Sequence, residues 1–301
     1  MEISILKPLC YFDVFNHPLK REELHRLCDK TIKGSNFDQT LKTLVKNKVC
    51  FESNNYYSIN SNVDKIVKER KEKEALAQSY LKKLSFYTRI IKSFPFVRGV
   101  SVSGSLSKGV MYDKGDIDYF IVTKKNRLWV CRTLLILFKK ICLLNSRKYF
   151  CVNYFVDEDN TEILDQNIFT AIEITHLIPV YGADVVQRMK AKNDWTKQFF
   201  PNHSAQNYFL PIEGSGLFKR TAESLFSGSF AEKLDLYLMR ITFRRWSKKF
   251  KSFHPDKLEL TMRSNRGISK HHPSDFQTKV LAGYKKRIEK LTIGNEGPIY
   301  S

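Results

Sequence analysis

Two carboxylates, Asp116 and Asp118, sit one residue apart in the segment GVSVSGSLSKGVMYDKGDIDYFIVT, residues 99–123. They precede an apolar run, Tyr119-Phe120-Ile121-Val122, that reads as a strand. Side chains alternate along a strand, so both acids are expected on one face with Cα atoms about 7 Å apart, while Ile117 turns into a core. Two like charges on one face repel and lose hydration, and a divalent cation between them relieves both costs. Mg²⁺ suits such a pair, because it takes oxygen ligands and is commonly held by one or two carboxylates together with substrate phosphates. Mn²⁺ accepts the same hard donors.

Upstream, an apolar strand expected over residues 97–102 runs into Ser103-Gly104-Ser105. Glycine lets the backbone turn sharply there and come close to a ligand. Backbone N–H groups and the Ser105 hydroxyl can then hold phosphate oxygens. Ser107 and Lys108 follow three and four residues beyond Gly104, and Lys108 offers a positive charge to a triphosphate tail. Phosphate donors followed by a metal-binding pair are the parts that phosphoryl or nucleotidyl transfer requires.

This order, strand, Gly-Ser, about ten residues and then Asp-x-Asp opening a second strand, resembles the signature of the polymerase-β-like nucleotidyltransferase superfamily, most nearly its minimal bacterial members. The matching residues are Gly104, Ser105, Asp116 and Asp118, and the resemblance covers residues 94–160. It implies Mg²⁺ on the two aspartates and nucleotide phosphates on Gly-Ser. The reaction it implies moves NMP from an NTP to an acceptor with loss of pyrophosphate. The family usually adds a third carboxylate from a neighbouring strand. Here the expected strand, residues 148–156, carries Asn153 at its centre. An asparagine can coordinate through its carbonyl but takes up no proton usefully. Either the base comes from elsewhere or catalysis is weak. Glu173, on a helix expected over residues 167–177, is the candidate base, as in family members that take theirs from a helical domain. Asp157 and Asp159 are expected past the strand's end.

The surrounding elements define an α/β (α+β) chain with a small mixed sheet. Residues 1–62 read as three helices and a hairpin across Asn54-Asn55, a layout that resembles a winged helix-turn-helix. Its third helix, expected to be capped by Ser35-Asn36, would offer Gln39, Lys42, Thr43, Lys46 and Lys48 to a DNA groove. Residues 63–93 read as a charged linker helix and 94–160 as the nucleotidyltransferase core. Residues 161–301 read as a basic helical C-terminal domain.

The 301-residue chain carries a net charge of +20. Such a surplus points to a polyanionic partner: nucleotide phosphates, RNA, DNA or an anionic surface. Half of it lies in residues 240–301, where fifteen Lys/Arg face five Asp/Glu. Within that stretch Arg263, Asn265, Arg266 and Lys270 can clamp a nucleotide or an RNA backbone. His271-His272 with Asp275 has poor spacing for zinc. The six cysteines form no CxxC pair and read as reduced small hydrophobes. The most apolar window, residues 128–144, is interrupted by Arg132, Lys139 and Lys140 and is too short to span a bilayer. With no leader-like N-terminus, a cytoplasmic protein without a membrane partner is expected. No GxxxxGK[ST] or HRD motif is present. Two functions fit these features. One is a nucleotidyltransferase acting on an RNA end, a protein or a small molecule. The other is a catalytically weak nucleotide-binding regulator or antitoxin-like DNA-binding protein.

Overall fold

The computed structural model describes residues 1–203, 212, 214, 216–226, 228–271 and 274–294. His272 lies outside them. The described chain is mixed α+β with two small sheets.

The first elements are α1 (Glu2–Asp13), β1 (Leu19–Lys20), α2 (Arg21–Arg26), α3 (Gly34–Lys46), β2 (Phe51–Ser53) and β3 (Tyr56–Ser58). α3 buries Phe37, Leu41 and Leu44, the i, i+4, i+7 stripe of an amphipathic helix. It starts one residue before the expected Ser35-Asn36 cap, with Lys33 at the N-cap position and no side chain closing that end. Asn54 and Asn55 both adopt positive φ, 51° and 63°, which lets a two-residue turn join β2 to β3. The long helix α4 (Val63–Ser93) is tied to this region by Lys20–Glu74, Ser53–Asp64, a Tyr56–Val63–Val67 cluster and, most deeply buried, Arg70. The Arg70 guanidinium, 2% exposed, donates to Glu23 (2.6 and 2.8 Å), to Glu74 (3.0 Å) and to the Pro18 carbonyl.

The larger sheet contains β4 (Val97–Ser103), β5 (Asp118–Thr123), β6 (Cys151–Asp157), β7 (Ile178–Tyr181) and β8 (Ile268–Lys270), in the order β7-β4-β5-β6-β8. Only β5 and β6 run parallel. Two of these strands lie in the stretch expected to be helical. β7 is Ile-Pro-Val-Tyr and β8 is Ile-Ser-Lys, too short for an alternation to register. Pro179 is tolerated because β7 is an edge strand.

The remaining helices are α5 (Gly104–Ser107), α6 (Leu128–Cys142), α7 (Ile168–Thr175), α8 (Ala183–Lys192), α9 (Thr196–Phe199), α10 (Leu217–Leu225), α11 (Gly228–Lys249), α12 (Pro255–Met262) and α13 (Phe276–Gly294). Strand alternation separates two cores. Phe120, Val122 and Val156 face a cluster with Ile5, Leu9 and Phe12 of α1, Ala171 of α7 and Val280 of α13. Tyr119, Ile121, Val152 and Phe155 face the other, with Leu84 of α4, Trp129 and Leu135 of α6 and, at its margin, Phe243 and Trp246 of α11. The N-terminal helices thus share a core with the sheet, and Arg287 of α13 donates to Asp13 at the end of α1 (2.6 Å). No described helix is long and apolar enough to cross a membrane.

Candidate active site

Antiparallel pairing sets Ser103, the last residue of β4, opposite Asp118, the first of β5. The chain leaves β4 through Gly104 at φ +69°, a left-handed value that favours glycine. A Cβ at this position would lie 2.7 Å from Asp118 Oδ2. The glycine is therefore required twice, by the backbone turn and by the carboxylate pressed against it. The short helix α5 follows, and Ser107 at its end is buried, its hydroxyl donating to the Gly104 carbonyl (2.8 Å). Lys108 Nζ donates to the same carbonyl (3.0 Å) and to Glu173 Oε1 on α7 (2.8 Å). The Gly104 N–H reaches Glu173 Oε2 (3.4 Å). The Glu173 carboxylate thus rests on two donors that the sequence suggests for phosphate.

Asp116 differs from expectation in one respect. β5 begins only at Asp118, so Asp116 lies ahead of the regular strand, yet Ile117 is buried in the core and both acids line one cavity, as alternation predicts. Gly115 closes a tight turn, its N–H donating to the Tyr112 carbonyl (2.8 Å), and a Cβ there would come within 2.4 Å of Met111 Sδ. That turn delivers Asp116 just ahead of the strand. The two carboxylates still sense each other. Burial pushes Asp118 up to about 6, and the charges of Asp116 and Glu173 add to the rise. Hydrogen bonds from the Cys151 thiol and the Asn153 amide oppose it.

Asn153 owes its place to an irregularity. Tyr119 pairs with Val152 and Phe120 with Tyr154, leaving Asn153 as an extra residue on β6. Such a bulge re-aims a side chain next to a site. Asn153 Nδ2 donates to Asp118 Oδ1 (3.1 Å), and its carbonyl accepts the His271 N–H (3.1 Å). Asp157 is the buried last residue of β6 and is turned to its own loop, where it accepts from Asn160 Nδ2 (2.7 Å).

These groups open onto one cavity of about 560 Å³. Gly104, Ser105, Lys108, Asp116, Asp118, Asn153 and Glu173 all line it, whereas Ser107 does not. Sequence reasoning missed the rest of the wall. Tyr11, Phe12, Phe15 and His17 reach it from the N-terminal elements, and Phe169 and Asp165 from the other side. Nothing local marks them, since α1 reads as an ordinary core helix. Burial, and then the charges of Arg70 and Lys108, hold His17 well below the usual histidine range, so it is a poor proton acceptor. Asp165 accepts from Arg263 (2.9 Å) and Lys270 (3.0 Å). Of the expected clamp, only Lys270 lines the cavity. Arg263 is engaged by Asp165 and Glu259, Arg266 pairs with Glu232, and Asn265 accepts from the Gly267 N–H.

The donor set facing the cavity between β4, β5 and β6 is carboxylate and amide oxygen. Burial keeps the Cys151 thiol protonated. Such a set matches a hard cation. Among the described residues no group of three or more His, Cys, Asp or Glu side chains is arranged around one ion; a cation on Asp116 and Asp118 would draw on other oxygens beside them. Substrate phosphates are the ordinary source. Comparison of the chain with protein-family models, with curated proteins and with solved structures gave no match.

Proposed function

We propose that the protein is a Mg²⁺-dependent nucleotidyltransferase. In this reading a polymerase-β-like core follows a winged-helix-like N-terminal region. The observation that carries it is the close approach of a left-handed Gly104 to the Asp118 carboxylate, with Asp116 and Glu173 near enough to raise that carboxylate's pKa. A backbone bend that exposes N–H groups beside converging acids holds a polyphosphate and its cation together.

Asp116 and Asp118 would hold Mg²⁺ or Mn²⁺, which when bound neutralises phosphate charge and orients the reacting groups. The Gly104 and Ser105 N–H groups, the Ser105 hydroxyl and Lys108 bind the triphosphate. An acceptor oxygen attacks the α-phosphorus, the bond to the bridging oxygen breaks, and pyrophosphate leaves. The acceptor's proton passes to a carboxylate, for which Glu173 is the candidate. Glu173 must first yield Lys108 and the Gly104 N–H to the nucleotide. Asn153 steadies Asp118 through its amide.

The test uses each labelled NTP with Mg²⁺ and total RNA, protein or small-molecule fractions. Label is expected to move to one acceptor class, and Asp116→Asn is expected to abolish the movement while leaving circular dichroism unchanged. Unimpaired transfer by Asp116→Asn overturns this mechanism. One observation favours a second reading. Gln39, Lys42, Thr43, Lys46 and Lys48 are on or just beyond α3, with Gln39 and the three lysines exposed, as in a helix that reads duplex DNA. A salt-sensitive shift of duplex DNA without nucleotide transfer identifies a nucleotide-binding regulator instead.

A further inference from the structure

Positive charge is segregated along this chain. No carboxylate occurs between Asp118 and Asp157, a stretch holding Arg132, Lys139, Lys140, Arg147 and Lys148. None occurs between Asp235 and Asp256, which holds Arg240, Arg244, Arg245, Lys248, Lys249 and Lys251. The first stretch contains α6 and the second most of α11, and the two helices pack together: Trp129 meets Phe243 (5.2 Å between ring centroids) and Trp246 (6.2 Å), and the Val130 N–H donates to Asp235. The α11 cations named above are all exposed.

Two cations in this face are more than surface decoration. The Arg132 guanidinium lies over the rings of Trp246 (4.9 Å) and Trp129 (5.6 Å). Lys139, further along α6, is 8% exposed. Burial lowers Arg132 to about 10 and also lowers Lys139, and among the described residues no Asp or Glu counters either. A cation withdrawn from water without an acid beside it is costly unless an anion arrives to complete it. A run of contacts links the candidate active site to the cationic face: Asn153 donates to Asp118, its backbone carbonyl accepts the His271 N–H, the His271 ring lies 5.2 Å from that of Trp246, and Arg132 covers Trp246.

We propose that the face formed by α6 and the C-terminal half of α11 binds single-stranded RNA and brings its end to the Asp118 cavity as the acceptor. Single strands are held by a cationic track interleaved with aromatic side chains on which bases stack. Here Tyr237, 60% exposed about one turn before Arg240, supplies an open ring, and Arg132, held over Trp246, supplies a guanidinium plane. The acceptor role rests on the nucleotidyl-transfer reading, whereas the binding surface does not.

The experiment measures fluorescence anisotropy of a labelled unstructured oligoribonucleotide with the full chain in EDTA, across a salt series, so that neither metal nor nucleotide is involved. Arg244→Ala/Arg245→Ala/Lys248→Ala is expected to bind at least about tenfold more weakly. Its log K against log salt slope should be shallower by about 2, since each single-strand phosphate left without its cation removes roughly 0.7. Arg132→Met is expected to weaken binding several-fold with an unchanged or higher melting temperature. Wild-type affinity and slope in both variants overturn the surface, as does preference for duplex DNA that is lost in Lys42→Ala/Lys46→Ala/Lys48→Ala. Binding of an NTP analogue is measured separately, with Mg²⁺ in place of EDTA, and is expected to be equal in wild type and triple variant. RNA binding without NTP binding by the wild type refutes the transfer reading and leaves the RNA surface standing.

Discussion

Asp118→Asn gives the most direct access to the site's electrostatics. Asp118 is partly buried, lies against Gly104 and shares its field with Asp116 and Glu173, which together take it from 3.8 to about 6. A folded-state carboxylate with a raised pKa favours the protonated form. Its penalty is absent below the unfolded value, grows as pH rises from about 4, and is complete above about 6. At about 1.4 kcal/mol per tenfold, the full penalty is about 3 kcal/mol near pH 7.5 and about 1 kcal/mol near pH 4.5. An asparagine keeps an acceptor oxygen for the Asn153 amide and carries no charge. Urea unfolding in EDTA is therefore expected to show Asp118→Asn more stable than wild type by up to about 3 kcal/mol at the higher pH, the gain shrinking to about a third at the lower. Mg²⁺ with a non-hydrolysable NTP should narrow the difference at high pH, because a ligand stabilises only the form that binds it. A variant that loses stability at pH 7.5, or gains equally at both pH values, refutes the description of Asp118 as an acid held at a cost.

Two further outcomes follow from single interactions. Glu173→Gln removes the charge that engages Lys108 and the Gly104 N–H, so NTP binding is expected to tighten several-fold in an equilibrium titration, while the rate of transfer falls about 10²-fold or more if Glu173 takes the acceptor's proton. Unchanged values of both show that Glu173 neither occupies the phosphate donors nor acts as base. Arg70→Leu leaves the Glu23 carboxylate without its guanidinium partner beside a buried position and breaks the Glu23–Arg70–Glu74 bridge between the N-terminal elements and α4. Urea unfolding is expected to show a loss of about 3–5 kcal/mol, and a change below about 1 kcal/mol shows that Arg70 is not the main link between them.

Local signals exposed part of this site and topology hid the rest. Gly104 and Asp118 were legible because a glycine at a strand end and an acid at a strand start are local features, and antiparallel pairing of neighbouring strands brings them together. α3, α4, β4 and α6 follow their apolar patterns for the same reason. β7 and β8 were not legible, since three or four residues carry no period and their partners lie far away in sequence. The aromatic wall from α1 stayed hidden because a residue lining a cavity and a residue filling a core look alike along a helix.

Asn153 gains a role in the structure that its place in the sequence does not show. Read as the middle of a regular strand, it is an absent carboxylate. In the structure it is the inserted residue of a bulge, and its amide donates to the acid whose proton affinity is already raised. An aspartate with the same reach would set another negative charge about 3 Å from Asp118 and raise the cost of ionising it further, as closely paired carboxylates do. The amide lowers that cost. With Asn153, the acids Asp116 and Asp118 can stand ready before any cation arrives. In the nucleotidyl-transfer reading proposed above, the proton acceptor is then a carboxylate outside the strand pair, for which Glu173, lining the same cavity from α7, is the candidate.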